Sequence, residues 1–262
     1  MSRATDTVRS QIVEAPLRGL VRLPDTRVID DDTWRRVITP SQPGSLNEVL
    51  RARLAPDAVD EAVERVLSEH AALDVDLKWV VAFDSSPTDA LAAALDARGL
   101  ERWEAAGMWA SARLDVAAPD AVLVRPVELD DPELARAFVA GWGGALEDHR
   151  ALLACTPPTY RFFLASIVQG GASAVIGLAG YVRQPPVAYL TSAVVVPTAR
   201  GRGAYRALLA TRLAAARAEG LGRVVTQARV ATSAPILARL GFEESYRFQM
   251  FRARRGTATP PR

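Results

Sequence analysis

The residues with the clearest chemical potential lie at positions 196–209, where the chain reads VPTARGRGAYRALL. The apolar run Val194, Val195 and Val196 leads into this segment, and a helix-patterned stretch follows it. Glycines let the backbone approach a ligand closely, and the start of a helix offers unpaired N–H groups with a partial positive charge. Together with Arg200 and Arg202, this turn is suited to bind a phosphate group. The alternative is a glycine turn that only ends a strand and caps a helix.

The composition excludes several other kinds of site. Cys155 is the only cysteine and His70 and His149 are the only histidines, so the sequence offers no disulfide framework and no cysteine or histidine metal site. The formal charge is +2, Lys78 is the only lysine, and the arginines are scattered, which argues against nucleic-acid binding. No apolar run is long enough for a membrane span, and the N-terminus has no secretion signal. We therefore expect a reduced, cytoplasmic, metal-free protein.

The elements that position the turn are predicted most clearly in the C-terminal half. Apolar runs predict strands at 122–127, 162–168, 174–182, 188–196, 223–230 and 242–252, and helical spacing predicts helices at 132–142, 146–154, 206–219 and from 233 to Gly241. In the N-terminal half, residues 57–73 are predicted as an amphipathic helix and 77–83 as a strand, followed by a helix that opens at Pro87. The phosphate-type turn thus lies between a strand and a helix.

The N-terminal half also repeats features of the C-terminal half. A Gly-apolar-Glu element and a Met-aromatic element recur 142 residues apart, which pairs Gly99 with Gly241, Glu101 with Glu243 and Met108 with Met250. The N-terminal copy has no glycine-rich turn. We predict an internal duplication with a domain at 1–118, a second domain at 119–254 and a disordered tail at 255–262.

The order of strand, turn, helix, strand, capped helix and Leu240-Gly241-Phe242 resembles the GCN5-related N-acetyltransferases (GNAT family). The pyrophosphate loop of that family reads Arg/Gln-x-x-Gly-x-Gly/Ala, and Arg200 and Gly203 occupy its first and fourth positions. The resemblance implies an α/β (α+β) fold with a central twisted mixed sheet flanked by helices, in two GNAT-like domains of which the N-terminal one is degenerate.

The resemblance also implies a function and a set of site residues. The expected activity is transfer of an acetyl group from acetyl-CoA to the amine of a small molecule or peptide, by a monomer or homodimer. The strand at Val194, Val195 and Val196 would bind the pantetheine arm and polarise the thioester carbonyl. The pyrophosphate would be held by the turn, whose residues are Arg200, Gly201, Arg202, Gly203, Ala204, Tyr205 and Arg206.

Two positions depart from the family pattern. The sixth position of the loop is Tyr205, which keeps its backbone N–H but needs space for its ring, against a neighbouring helix or the cofactor. Position 237, where the family often has a tyrosine that protonates the coenzyme A thiolate, is Leu237, and Val230 stands near the place of a frequent asparagine. The general acid is therefore supplied elsewhere or by water, or catalysis is weak.

The candidates for proton transfer are poorly defined by the sequence. The amine must lose a proton before it attacks, and the acceptor of this family commonly enters near the first helices, so Glu147, Asp148 and His149 are candidate bases. Tyr246 is a weak candidate acid or acceptor-pocket residue, and a half-buried strand tyrosine with a structural role is the favoured interpretation. For each of these residues, a purely structural role is the competing interpretation.

Two other functions are weighed against the transferase. A dinucleotide-binding oxidoreductase would need a third glycine where Arg206 stands. An acyl-CoA-binding sensor or scaffold, which is not an enzyme, would explain the missing tyrosine. Binding without turnover would distinguish the sensor from the transferase.

Overall fold

The computed structural model describes residues 3–42 and 44–256. The helices are α1 (Arg3–Arg18), α2 (Val59–Ala72), α3 (Thr88–Ala97), α4 (Pro132–Trp142), α5 (Leu146–Ala154), α6 (Ala204–Ala218) and α7 (Ser233–Arg239). The strands are β1 (Arg27–Asp30), β2 (Trp34–Ile38), β3 (Glu48–Ala52), β4 (Leu77–Val81), β5 (Glu101–Ser111), β6 (Leu123–Val127), β7 (Tyr160–Gln169), β8 (Ala172–Gln184), β9 (Val187–Val195), β10 (Arg223–Arg229) and β11 (Glu243–Ala253). The chain therefore combines helices with a mixed sheet, as the sequence predicts.

The chain forms two compact units that do not follow the order of the sequence. The first unit consists of Met1–Val21, Gly107–Gln227 and Ile236–Ser245, and the second of Arg22–Ala106, Ala228–Pro235 and Tyr246–Arg262. These bounds differ from the predicted domains 1–118 and 119–254. That division stays a prediction about the two sequence copies, and most of its predicted tail, residues 257–262, lies outside the described residues.

The first unit is built on a sheet with the strand order β6-β7-β8-β9-β10, followed by the C-terminal part of β5. The strands β6 to β9 are antiparallel: α4 and α5 connect β6 to β7, and short turns connect β7, β8 and β9. The strand β10 runs parallel to β9 after the crossover through α6. The helix α4 packs on β8 and β9, and Leu134, Phe138, Phe162 and Leu178 form the centre of its core.

The helix α1 also belongs to the first unit. Its residues Ile12 and Ala15 are completely buried, and Gln184 of β8 donates a hydrogen bond to the carbonyl of Ala15 at 3.0 Å. Arg223 at the start of β10 donates to the side chain of Gln11 at 2.9 Å. The sequence does not predict this helix, because its segment is polar overall.

The second unit has the strand order β1-β2-β3-β4-β11 and then the N-terminal part of β5. The helices α2 and α3 pack on one another, and Val63, Leu91 and Leu95 meet Trp79 of β4 and Phe251 of β11 in a buried core. The predicted amphipathic helix at 57–73 is therefore confirmed, with its first residues forming a 3-10 turn at Pro56–Ala58.

The duplication inferred from the sequence has a structural counterpart. The strands β5 and β11 both contain 11 residues, and the two strands are offset by the same 142 residues at both ends. The helices before them end at Ala97 and Arg239, and each is followed by a glycine with a positive φ, Gly99 at 71° and Gly241 at 97°. Each copy therefore ends in a helix, a left-handed glycine and a long strand.

The last strands of the two copies are exchanged. The strand β11 of the second copy pairs with β4 of the first copy in an antiparallel register that joins Gln249 to Val81 and Phe251 to Trp79. The strand β5 of the first copy is the neighbour of β10. Within the first unit, the N–H of Ala112, just after β5, donates to the carbonyl of Gly222, just before β10, at 3.2 Å. This exchange is the reason why the compact units and the sequence copies have different bounds.

Candidate active site

The glycine-rich turn has the position and backbone shape that the sequence predicts. The strand β9 ends at Val195, a 3-10 turn follows at Pro197–Ala199, and α6 begins at Ala204. Gly201 and Gly203 have φ angles of 79° and 82°, in the left-handed region that favours glycine. The two glycines therefore reverse the chain between the end of β9 and the first turn of α6.

The backbone of this turn presents a row of N–H groups. The first hydrogen bond of α6 runs from the N–H of Ala207 to the carbonyl of Gly203 at 3.0 Å, and Gly203 has no side chain to cap the helix. Within residues 3–42 and 44–256, no acceptor receives a hydrogen bond from the backbone N–H groups of residues 201–206. By contrast, α4 is capped by Asp131, whose carboxylate accepts from the N–H of Glu133 at 2.8 Å. The start of α6 is thus free to bind an anion.

Three arginines surround these N–H groups. The side chains of Arg200, Arg202 and Arg206 are exposed. In the described part of the chain, none of the three guanidinium groups forms a hydrogen bond or an ion pair with another side chain. The turn therefore carries three positive side chains that no carboxylate of the described residues neutralises.

One face of the turn is covered by Pro119. A Cβ atom added at Gly203 would lie 2.5 Å from Cγ of Pro119, so no larger residue fits at position 203 without movement. Gly201 has no atom within 4 Å of its hypothetical Cβ. The segment that the sequence predicts to connect two domains thus contacts the turn within the first unit.

Tyr205 occupies the position at which the family usually has a small residue. Its ring is half-buried, and its hydroxyl faces the guanidinium of Arg212, one of the most deeply buried side chains at 2% exposure. Burial raises the pKa of Tyr205, and the charge of Arg212 acts in the opposite direction. Of the two expected locations for the ring, packing along the helix is the one observed.

The strand β9 opens away from β10 beside the turn. Parallel pairing joins Val187, Ala188 and Tyr189 of β9 to Arg223, Val224 and Val225 of β10, and the described residues show no further ladder pair between the two strands. At the end of the ladder, Thr226 Oγ1 donates to the carbonyl of Leu190 at 3.0 Å in place of a backbone bond. One edge of β9 is therefore left without a strand partner from Leu190 onward.

A bulge lies on the same stretch of β9. Between the pairs Gly180–Thr191 and Leu178–Val194, β9 has one residue more than β8, and Ser192 adopts a φ of 53°. Val194, Val195 and Val196 follow the bulge and are half-buried. Backbone groups on the unpartnered edge can hydrogen-bond an extended ligand in the manner of an added strand.

A small cavity lies between α4 and the end of β9. Its volume is about 220 Å³, and it is lined mainly by small apolar side chains, with charged groups only on α4: Glu133, Arg136, Ala137, Ala140, Val175, Gly177, Val194 and Val196. The helix approaches β9 closely at Gly141, where an added Cβ would collide with Cγ1 of Val194. The cavity is thus continuous with the strand that precedes the turn.

The three predicted bases all lie on α5. Glu147 is exposed and pairs with Arg150 at 3.3 Å, and Asp148 is exposed in the first turn of the same helix. His149 hydrogen-bonds through Nε2 to the carbonyl of Gly143 at 2.7 Å, and its ring lies 5.4 Å from that of Phe138. None of these contacts connects the candidate bases to the turn.

Tyr246 and Leu237 lie in different compact units. Tyr246 belongs to the second unit, where it is 9% exposed and packs edge-on against Phe83 with ring centroids 4.9 Å apart. Leu237 belongs to the first unit and is buried at 2% exposure. Gln227 is half-buried in β10 and is the last residue of that strand in the first unit. Its side-chain amide has no predicted acid–base role. The role of Tyr246 as an acid therefore stays a prediction.

Three residues of this region were missed by sequence reasoning. The sequence predicts only a helix around Arg212, a strand around Thr226 and a connecting segment around Pro119. An arginine on the apolar face of α6, in line with Leu208, Leu209 and Leu213, was the one available signal. The contacts of Thr226 and Pro119 depend on tertiary structure and leave no mark in the sequence.

The described residues show neither a metal-binding cluster nor a membrane-spanning helix. No group of three or more histidine, cysteine, aspartate and glutamate side chains among them is arranged to hold a metal ion. None of the helices in residues 3–42 and 44–256 combines the length and the apolar character that a bilayer crossing requires.

Comparison with known proteins places these features in a family. Residues 131–242 match the model of the acetyltransferase (GNAT) family, and this range contains α4, β9, the turn and α6. No curated protein matches the chain. Solved structures with a similar fold are numerous.

Three of these structures cover most of the chain. A GCN5-related N-acetyltransferase from Kribbella flavida has a TM-score of 0.62 and 17% identity, with 98% of this chain and 97% of that chain covered. A conserved protein of unknown function from Staphylococcus epidermidis has a TM-score of 0.66 and 11% identity, with 89% and 96% covered. A tandem GNAT protein of the clavulanic acid biosynthesis pathway has a TM-score of 0.56 and 18% identity, with 90% and 86% covered. At these identities the likeness concerns the fold alone.

The open edge of β9, the uncapped glycine-rich turn and the family match at 131–242 agree with one another, and the fold matches extend over nearly the whole chain. Residues 131–242 therefore match the acetyltransferase (GNAT) family in sequence, and the chain as a whole has a fold similar to those of GCN5-related N-acetyltransferases and of a tandem GNAT protein.

Proposed function

We propose that this protein is an acetyl-CoA-dependent N-acetyltransferase whose cofactor turn is residues 200–206. The observation that carries the proposal is the set of unpaired N–H groups at the start of α6 together with the unpaired Arg200, Arg202 and Arg206. A diphosphate carries at least two negative charges and several acceptor oxygens, which these donors match. The turn stands in the GNAT-like copy that has glycines, so we assign the activity to that copy.

The strand β9 would hold the rest of the cofactor. Its unpartnered edge begins at Leu190 and ends at the turn, so a pantetheine arm that leaves the diphosphate can lie along it. Backbone N–H groups of Val194 and Val195 are the proposed donors to the arm and to the thioester carbonyl, whereas the N–H of Val196 already donates to the carbonyl of Ile176 at 2.9 Å. A fixed N–H group at that carbonyl would stabilise the negative charge that develops during attack by an amine.

Proton transfer is the less defined part of the proposal. Leu237 is apolar and buried, so it cannot protonate the departing thiolate. A thiol has a reference pKa of about 8.5, so a thiolate can leave without a dedicated acid and take its proton from water. We keep Glu147 as the proposed base and Tyr246 as the proposed acid, and we propose that the acceptor is a small-molecule or peptide amine. We also propose a cytoplasmic location and a monomeric or homodimeric state.

The first experiment tests cofactor binding. The double variant Arg200→Gln/Arg202→Gln is compared with the wild-type chain by titration calorimetry with acetyl-CoA. We expect about a tenfold weaker Kd in the variant, because two charge-assisted contacts are lost. Arg217→Gln is the matched control: it removes the same type of charge from the last turn of α6, where the side chain is also exposed. Equal affinity in the wild type and the double variant would contradict the site.

The second experiment tests turnover. Release of free thiol from acetyl-CoA is measured with the full chain over a panel of small amines, amino acids and peptides. We expect release that depends on one class of amine. Because Leu237 replaces the usual acid, an acyl-CoA-binding sensor is the alternative, and tight binding without turnover on any amine would support it.

A further inference from the structure

The helix α6 contains a buried arginine that the proposed chemistry does not use. Arg212 is 2% exposed, donates through Nε to the carbonyl of Leu208 at 3.2 Å and donates through Nη1 to the carbonyl of Gly180 in β8 at 3.2 Å. Among the described residues no carboxylate forms an ion pair with it. A buried cation without an anion is costly, and so its presence calls for a physical reason.

The position of Arg212 on the helix provides that reason. Tyr205, Leu208 and Arg212 are spaced three and four residues apart, so their side chains lie along one face of α6. The guanidinium reaches back along this face to the hydroxyl of Tyr205. Tyr205 is the second residue of the helix and its backbone N–H is one of the unpaired donors of the turn.

The positive charge of Arg212 also acts on the turn at the start of α6. Seven residues of helix separate Arg212 from Tyr205, which corresponds to about 10 Å along the axis. The N-terminal end of the helix is itself positive, so the buried guanidinium and the helix dipole act on the same place with the same sign. An anion bound at the turn would compensate both, and a buried charge is screened less by salt than an exposed one.

We propose that Arg212 is a positioning residue for the diphosphate of coenzyme A: it anchors Tyr205, fixes the first turn of α6 and has its charge balanced when the diphosphate binds. The inference rests on the proposed function, because it requires the turn to bind coenzyme A. It assigns a role to the tyrosine that departs from the family pattern. Tyr205 then serves as the link between the buried cation and the anion-binding backbone.

The test compares two ligands in the full chain. Coenzyme A has the diphosphate, whereas pantetheine lacks it. The variants are Arg212→Met, which removes the charge at similar volume, Tyr205→Phe, which removes only the hydroxyl, and the double variant. We expect Arg212→Met to weaken coenzyme A binding about tenfold and Tyr205→Phe to weaken it several-fold. In the double variant we expect a loss close to that of Arg212→Met alone. The thermal shift that saturating pantetheine produces should not change, and Arg212→Lys should recover part of the affinity.

Each other outcome has a definite meaning. If the wild-type chain does not bind coenzyme A, the proposed function fails. If it binds and both single variants bind equally well, the positioning role is overturned. Equal losses for coenzyme A and pantetheine would also overturn it, because they would indicate general damage. Leu209→Ala, which removes a fully buried side chain from the same helix, measures the effect of such damage. If Arg212→Met does not fold, Tyr205→Phe carries the test by itself.

Discussion

At the scale of single residues, Gly203 combines two constraints that are usually separate. Its φ of 82° belongs to the left-handed region, and Pro119 occupies the space that a side chain would need. Gly201, two residues earlier, has a similar φ but open space. Substitutions at the two glycines therefore measure the cost of the left-handed backbone and the cost of the steric contact separately.

We therefore expect Gly201→Ala to lower the free energy of unfolding by about 1 kcal/mol, the cost of a left-handed conformation for an L-residue. Gly203→Ala should cost more, because its Cβ also meets Pro119. Denaturant unfolding of both variants measures the difference. In a Pro119→Ala background, the two substitutions should have more similar costs. If the two unfolding costs differ by as much as they do without the Pro119→Ala substitution, the contact with Pro119 does not explain the glycine at position 203.

A second prediction concerns His70 of α2. The ring is 2% exposed, its Nδ1 is 2.8 Å from the carbonyl of Val66, and its charged neighbours are Arg36, Glu69 and Arg27. Burial lowers the pKa of His70, with the two arginines acting in the same direction and Val66 and Glu69 opposing. The unfolded chain, with an ordinary pKa of about 6.5, then binds the proton more readily than the folded chain, so stability falls as the pH drops below about 6.5.

We expect His70→Gln to reduce the decrease of Tm between about pH 8 and pH 5.5. The control is His149→Gln, which removes the only other histidine, a half-buried one on α5. Thermal unfolding at a series of pH values measures both. A pH dependence that is the same in His70→Gln as in the wild type would refute the prediction.

At the scale of elements, the opening between β9 and β10 depends on one side chain. Thr226 satisfies the carbonyl of Leu190 at the point where the ladder ends, so β10 can leave β9 without a buried unpaired carbonyl. The proposed pantetheine edge begins at that point. Loss of the hydroxyl should therefore affect the ligand as well as the stability.

Thr226→Val tests this relation. We expect a loss of about 1 kcal/mol in stability and a several-fold weaker Kd for acetyl-CoA, because the start of the open edge is no longer fixed. Thr211→Val is a matched control, since Thr211 Oγ1 donates to the carbonyl of Ala207 at the same distance of 3.0 Å. It should cost similar stability and leave the Kd unchanged. Equal effects of the two variants on the Kd would contradict the role of Thr226.

The elements of the C-terminal half could be predicted closely. The helices α4 and α5 have the predicted bounds, and β7, β8, β9 and α6 differ from their predicted bounds by three residues or fewer at each end. Strong apolar periodicity and glycine punctuation explain this accuracy. The strands β1, β2 and β3 were missed because they have four or five residues each and little alternation.

Of the candidate site, only the glycine-rich turn could be predicted from the sequence. The glycines and arginines of the turn identify themselves by type and spacing, because their chemistry is local. The opening at Thr226, the contact of Pro119 and the anchoring of Tyr205 by Arg212 involve residues that are distant in the sequence or hidden within a helix. The arginine on the apolar face of α6 is the one local pattern that signals any of these contacts.

At the scale of the whole molecule, the exchanged strands make the folding of each sequence copy depend on the other copy. A fragment that begins near residue 120 lacks α1, whose Ile12 is fully buried, and the part of β5 that carries Met108 at 1% exposure in the first unit. Such a fragment cannot complete the core of the first unit. The internal duplication therefore does not imply that the second copy folds by itself.

We expect residues 120–262 to aggregate when expressed alone and to form a soluble complex when co-expressed with residues 1–119. Size-exclusion chromatography and thermal unfolding followed by circular dichroism measure this. Each fragment then supplies the strand that the other needs. If 120–262 alone unfolds as cooperatively as the full chain, the exchange is dispensable.

The exchange of strands also limits which parts of the duplicated sequence can be lost during evolution. The copy without the turn can lose its glycines and its ligand contacts, but the segment Gly107–Ser111 that it encodes forms part of the unit that carries the turn. Selection for acyl transfer then acts on codons outside the copy that carries the turn. A degenerate duplicate would ordinarily be free to erode and disappear. Here its deletion would remove a strand from the unit that carries the turn, so the duplication, once made, is difficult to reverse.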